Sequence, residues 1–379
     1  MRRRCIFLTL LFSFVFAVVG ITSGLPQGEA ADTQVDLQDQ VTPLYPRYEF
    51  YIDLLVQNHH ARVREKMTVA NTTRDAWKRI VFSVPPAATA NVFTLAWLTV
   101  TVGGRTVSVT PTFDGSMMIV DFPVSVAPRA EVQIMLGFTL TLRRLKPWEA
   151  HPLGNLGYGD KVMQFGDCFP VITPYDDATG FRIWHYVPVG DPYVYINADY
   201  NVVITTDRPV LIAAAGLVTH SGNLWEFHLH NARSFAFTAS AEYDFVSGVA
   251  DEIPVYVYYV KGKERAARAV LTTAVQCLSL YASLYGPYPY PELVLAQNAY
   301  ASAMEYAGFV TISNAYMQNY STSPQLLFFI TSHEIAHQWW YSQVGNDQGN
   351  FPYLDEALAM YSEALFFEHM YPEYQDWWW

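Results

Sequence analysis

His333, Glu334 and His337 form a His-Glu-x-x-His run, and Glu356 follows with eighteen residues between it and His337. On a helix, positions i and i+4 share one face, so His333 and His337 can turn both imidazoles toward a single cation. Glu334 is offset by about 100° at roughly 3.6 residues per turn, which rules it out as a ligand but keeps it near a water held at the same place. Glu356 supplies the third ligand that the pair lacks. Three protein ligands with an open fourth position is the pattern of a catalytic zinc ion, one per chain, and not of a structural one. Such an ion lowers the pKa of a water to roughly 7, and Glu334 is the group placed to take the proton.

Two helices must carry these side chains. The run Leu326-Leu327-Phe328-Phe329-Ile330 leads into the first and sets its metal face in a dry interior. Ser323 and Pro324 predict its start, with the serine as capping hydroxyl and the proline at the first helical position. Gly345 and Asn346 predict its end, about a turn and a half past His337. A second helix is predicted from about Tyr353 to His369, stopped by Pro372, with Glu356 in its first turn. Glu363, seven residues beyond Glu356, lies on the same face and is expected to accept a hydrogen bond from a ligand histidine's second ring nitrogen. A solvated glutamate is the alternative reading.

The segment His333-Glu334-Ile335-Ala336-His337-Gln338-Trp339-Trp340, with Tyr353-Leu354-Asp355-Glu356-Ala357-Leu358-Ala359 after it, resembles the aminopeptidase N-type gluzincin metallopeptidases, relatives of leukotriene hydrolase. Asp355 and Ala357 depart from that family's W-L-N-E-G-F-A-like segment without replacing a ligand. Ser302-Ala303-Met304-Glu305-Tyr306 resembles the family's G-A-M-E-N motif, with Ser302 in place of glycine and Tyr306 in place of asparagine. The resemblance implies that Ala303, Met304 and Glu305 form a substrate-binding segment in which Glu305 pairs with the free α-amino group of a peptide. It implies hydrolysis of the N-terminal peptide bond. Weaker likenesses lie at Tyr285 to Pro291 and at Ala232-Arg233-Ser234-Phe235-Ala236-Phe237.

The implied fold is multidomain α+β. An all-β, saddle-like domain is expected over 46–245, followed by a thermolysin-like, mainly helical catalytic domain over 246–379. The alternating, β-branched pattern from Tyr48 to about Phe245 supports the first, with Val202 to Thr205 and Leu224 to Leu229 as clear strands. Glu264 to Leu284 has helical periodicity and Leu293 to Ala296 reads as a strand. The family's oxyanion-stabilising tyrosine lies well beyond its glutamate ligand, and Tyr371 and Tyr374 are too close to Glu356 to be that residue. The chain is therefore read as C-terminally truncated and weakly active or inactive as it stands.

Composition narrows the partners. With 51% hydrophobic and 16% aromatic residues the chain is globular, and a net charge of −12 argues against nucleic acid. Arg2-Arg3-Arg4 and the apolar stretch from Cys5 to about Val19 read as a secretory signal over 1–30, with small residues at Gly28 and Ala30 for cleavage. A polar linker over 31–45 follows. Export outside the cytoplasm is the expectation, and an uncleaved membrane anchor is the alternative to cleavage. Cys168 and Cys277 are too few for a disulfide framework and read as buried thiols, although a single bridge between them stays open. Two rivals to the peptidase reading remain: an epoxide hydrolase on the same scaffold, and a catalytically impaired relative serving as a binding or scaffolding module. The joint presence of His333, Glu334, His337 and Glu356 favours the peptidase.

Overall fold

The computed structural model describes residues 45–146, 155–184 and 194–374. The signal, nearly all of the linker and Trp377 to Trp379 lie outside the described residues. Cys168 and Cys277 are both buried free thiols.

Alternation builds the N-terminal part. In Arg47–Leu55 the side chains of Tyr48, Phe50, Ile52 and Leu54 face the core while their neighbours face outward. This strand pairs antiparallel with His60–Ala70 and parallel with Ala198–Thr206, inside an eight-stranded sheet. Leu224–Ala232 and Glu131–Thr141 extend the sheet on either side. Two four-stranded sheets accompany it, one of them holding Met163–Phe165 and Phe237–Ser240. Among the described residues, no helix is long and apolar enough to cross a membrane.

The C-terminal part is less helical than expected. It opens with a five-stranded mixed sheet in the order Tyr243–Ala250, Ile253–Val260, Leu293–Gln297, Phe309–Ile312, Met304–Tyr306. The expected division at 245/246 falls inside the first of these strands, which pairs along its whole length with Ile253–Val260. Leu293–Gln297 and Phe309–Ile312 are buried throughout and pair in parallel, as a covered sheet interior requires. Among the described residues, four α-helices complete this part: α1 (Glu264–Tyr285), α2 (Asn314–Asn319), α3 (Pro324–Ala336) and α4 (Tyr353–Met370).

Two boundary expectations need correction. Ser323 is the N-cap residue of α3, but its side chain makes no capping hydrogen bond, and Pro324 alone marks the start. Helix α3 also ends sooner than Gly345 and Asn346 suggest, with His337 as its C-cap. The chain turns there because Gln338, Trp339 and Trp340 all leave the helix axis for partners elsewhere. Their amides bond back to Ile335 and Ala336 while their side chains reach other elements.

Candidate metal centre

The residues after His337 hold the site together. Gln338 grips the strand pair that carries Glu305: its Oε1 accepts from the Gly308 amide at 2.8 Å, and its Nε2 donates to the Tyr306 carbonyl at 3.1 Å. Trp339 Nε1 donates to the Gly286 carbonyl at the end of α1, and Trp340 Nε1 donates to Ser362 Oγ on α4, each at 2.9 Å. The Tyr281 hydroxyl of α1 lies 3.2 Å from the Ser332 carbonyl of α3 and 3.1 Å from the Ser362 carbonyl of α4. Three helices and one strand pair are thus pinned to one another around the histidines.

Arg233 adds a clamp from the β part. Its Nε donates to the Tyr341 carbonyl at 2.7 Å and its Nη1 to the Tyr195 carbonyl at 2.9 Å. Tyr341 has φ of 129°, a region that L residues rarely occupy, and the Arg233 contact holds it there. Gly345 is required by this contact and not by a helix end. A Cβ on it would lie 2.1 Å from Arg233 Cζ.

The geometry at the histidines suits a zinc ion. His337 Nδ1 lies 2.9 Å from the Trp340 carbonyl, which can only accept, so Nδ1 carries the hydrogen and Nε2 presents a lone pair. His333 Nε2 and His337 Nε2 stand 3.2 Å apart, and Glu356 Oε2 lies 3.2 Å from the first and 3.9 Å from the second. Ligands about 2.0–2.2 Å from one tetrahedral ion stand roughly 3.3–3.5 Å apart, which matches this triangle. Two imidazoles and a carboxylate are also a donor set that zinc favours.

Electrostatics tie the triangle together. Burial opposes charge on His333, but Glu356 and Glu363 outweigh it and push its pKa up to about 10. Burial, reinforced by the charge on His333, holds His337 below its ordinary value. The bond from His333 holds Glu356 below the usual carboxylate range, while burial pushes Glu363 up to about 7. Glu363 is completely buried, with Oε2 3.3 Å from His333 Nδ1. That distance is short, but the alignment falls outside hydrogen-bond geometry, so the contact is chiefly one of charge.

Glu334 is buried on α3, near enough to His333 to favour its charged form. Ala303 and Met304 are buried, Met304 within the main core. Glu305 is buried on its strand, and its carboxylate comes within 4.8 Å of a His337 ring nitrogen. Sequence reasoning missed the company that Glu305 keeps. Asp355, noted only as a departure from a motif, is buried in the same cluster with Glu305 and His337. Gln348 Nε2 bridges the two acids, 2.6 Å from Asp355 Oδ2 and 3.4 Å from Glu305 Oε1. Asn346 Nδ2 donates to Asp355 Oδ1 at 3.0 Å. With one nitrogen and two amide-bonded carboxylates, this cluster suits an ammonium group better than a second zinc. Asp355 was legible beside Glu356. Nothing local distinguishes Gln348.

Residues 269–379 match the Peptidase family M1 domain. Over 144 residues the chain is 32% identical to Aminopeptidase M1-D of Oryza sativa subsp. japonica and 28% identical to Aminopeptidase M1 of Arabidopsis thaliana. Each of these matches covers 36% of this chain and 16% of the relative. Endoplasmic reticulum aminopeptidase 2 of Bos taurus is 29% identical over 143 residues, 35% of this chain and 15% of that protein. The stretch shared with these relatives is therefore about a sixth of their length.

Proposed function

We propose that the chain, whose residues 269–379 match the Peptidase family M1 domain, forms the site of a zinc-dependent aminopeptidase that removes the N-terminal residue from peptides. The observation that carries this reading is the adjacency of two clusters through His337: a His-His-Glu triangle and a pair of buried acids. His333, His337 and Glu356 would hold the ion. Zinc in that place would polarise the scissile carbonyl and acidify a water. Glu334 takes the proton of the attacking water and passes it to the leaving amine. Glu305, with Asp355 and Gln348 behind it, pairs with the substrate's ammonium group and so presents the first peptide bond to Glu334. Burial of both acids strengthens that pairing by excluding water.

Zinc per chain, measured by elemental analysis after dialysis, tests the triangle. One equivalent is expected, with loss in Glu356→Ala; no zinc in folded protein would overturn it. Substrate pairs test the role of Glu305. A charge-assisted contact contributes about 1.5–3 kcal/mol, so N-acetylation should cost roughly ten- to a hundredfold in kcat/KM in the full-length protein. Equal rates would remove that role. The same proposal places the protein outside the cytoplasm, with residues 1–30 removed on export. Mature protein beginning at Ala31 is the expected outcome of N-terminal sequencing, and a retained Met1 would indicate the anchor instead.

A further inference from the structure

A cavity of about 300 Å³ lies between the turn at Gly159 to Lys161 and the start of α1, and shares no lining residue with the histidine site. Among the described residues its lining contains five cationic residues and a single carboxylate, Asp160. That is a fifth of all lysines and arginines in a chain of net charge −12, which has 23. Arg144 already neutralises Asp160 by direct pairing. Among the described residues, Lys161, Lys261 and Lys263 have no carboxylate within ion-pair distance. Lys161 comes from the β part, whereas Lys261 and Lys263 flank Gly262 in the turn that enters α1, so the charges converge from separate elements.

The polar wall is arranged to donate. Gln297 Oε1 accepts from the Val260 amide at 2.9 Å, and Gln297 Nε2 donates to Asn314 Oδ1 at 2.6 Å. This chain of bonds orients the Asn314 amide with its oxygen occupied and its NH2 group left to serve another acceptor at the cavity wall. Three lysines and an amide donor around a space of this size complement a compact, multiply charged anion. We propose that this cavity binds a small ligand through a phosphate group.

The test is calorimetric titration of the purified chain with orthophosphate, pyrophosphate and ATP in 50 mM and 200 mM salt. Saturable 1:1 binding of at least one of them, weaker at the higher salt, is expected. Lys261→Glu combined with Lys263→Glu should weaken it at least tenfold, with circular dichroism and melting temperature unchanged. Lys78→Glu, on the exposed side of a strand elsewhere, should leave it intact and so separates a site from overall charge. Should the double variant prove unfolded, Lys161→Ala takes its place with at least a threefold loss expected. Binding of the two inorganic anions identifies free phosphate as the ligand class, and binding of ATP alone identifies a nucleotide. Failure of all three to saturate, or equal loss in Lys78→Glu, would overturn the proposal.

Discussion

Glu65 and Glu363 are both shielded from solvent, one in the large sheet and the other on α4, and they do opposite things. Glu65 sits among the inward residues of His60–Ala70, beside Val63 and Met67, and neither of its oxygens has a hydrogen-bond partner among the described residues. Burial alone drives its pKa well above the ordinary value, which keeps it protonated. Glu363 is equally buried, yet it faces His333 and helps to hold that imidazole charged. A buried acid is thus no sign of a site by itself. What distinguishes Glu363, and Glu356 beside it, is a shared neighbour, His333, that can carry the opposite charge.

Four substitutions would break or sharpen this contrast. The largest effect belongs to Glu334→Gln, which should lower peptide turnover about a hundred- to ten-thousandfold in the full-length protein while zinc per chain stays unchanged. Loss of zinc instead would make Glu334 part of the ligand scaffold. Glu363→Gln decides whether that acid resembles Glu65. As a partner of His333 it should lower zinc affinity about ten- to a hundredfold by competition with a chelator, whereas an unchanged affinity would class it with Glu65.

Glu65→Leu tests the other side. Removing a buried group without partners should stabilise the fold by about 1–2 kcal/mol in urea titrations near pH 8. The sign with pH follows from the raised folded-state pKa. Below an unfolded value of about 4.3 the group is protonated in both states and contributes no penalty. As pH rises above that value, the unfolded chain ionises while the folded one does not, so stability falls until the folded pKa is reached. The gain from Glu65→Leu should therefore be larger at pH 8 than at pH 5, and a gain independent of pH would show that Glu65 ionises in place.

Tyr306→Phe is the mildest. The Tyr306 hydroxyl donates to Asp167 Oδ2 at 3.2 Å, alongside Tyr195 and Asn155. Burial pushes Asp167 up to about 6, and these donors restrain the rise. Losing one should cost about 1 kcal/mol of stability at pH 8 and move the Asp167 midpoint upward. Nuclear magnetic resonance of the carboxyl carbon would follow that midpoint, and an unmoved value would detach Tyr306 from Asp167.

The His-His-Glu triangle was legible because its information is local. Helical period places His333 and His337 on one face, and the short return to α4 brings Glu356 back. Strand alternation likewise marked Val202 to Thr205 and Leu224 to Leu229, which lie within the longer strands Ala198–Thr206 and Leu224–Ala232. The end of α3 was not legible, since Gly345 serves a contact with Arg233, 112 positions earlier, and no local pattern announces it.

By itself, then, the sequence determined the grouping of His333, His337 and Glu356, the helices that carry them and the likeness to M1 peptidases, all of which depend on residue type and spacing over a few turns. Only the tertiary structure decided that Gln338, Trp339 and Trp340 end the helix by pinning three other elements. It alone brought Asp355 and Gln348 to Glu305, and gathered Lys161 with Lys261 and Lys263 around one cavity. These pairings join residues far apart in the chain. Their energy is realised only once packing has already brought the elements together, and no local periodicity encodes it.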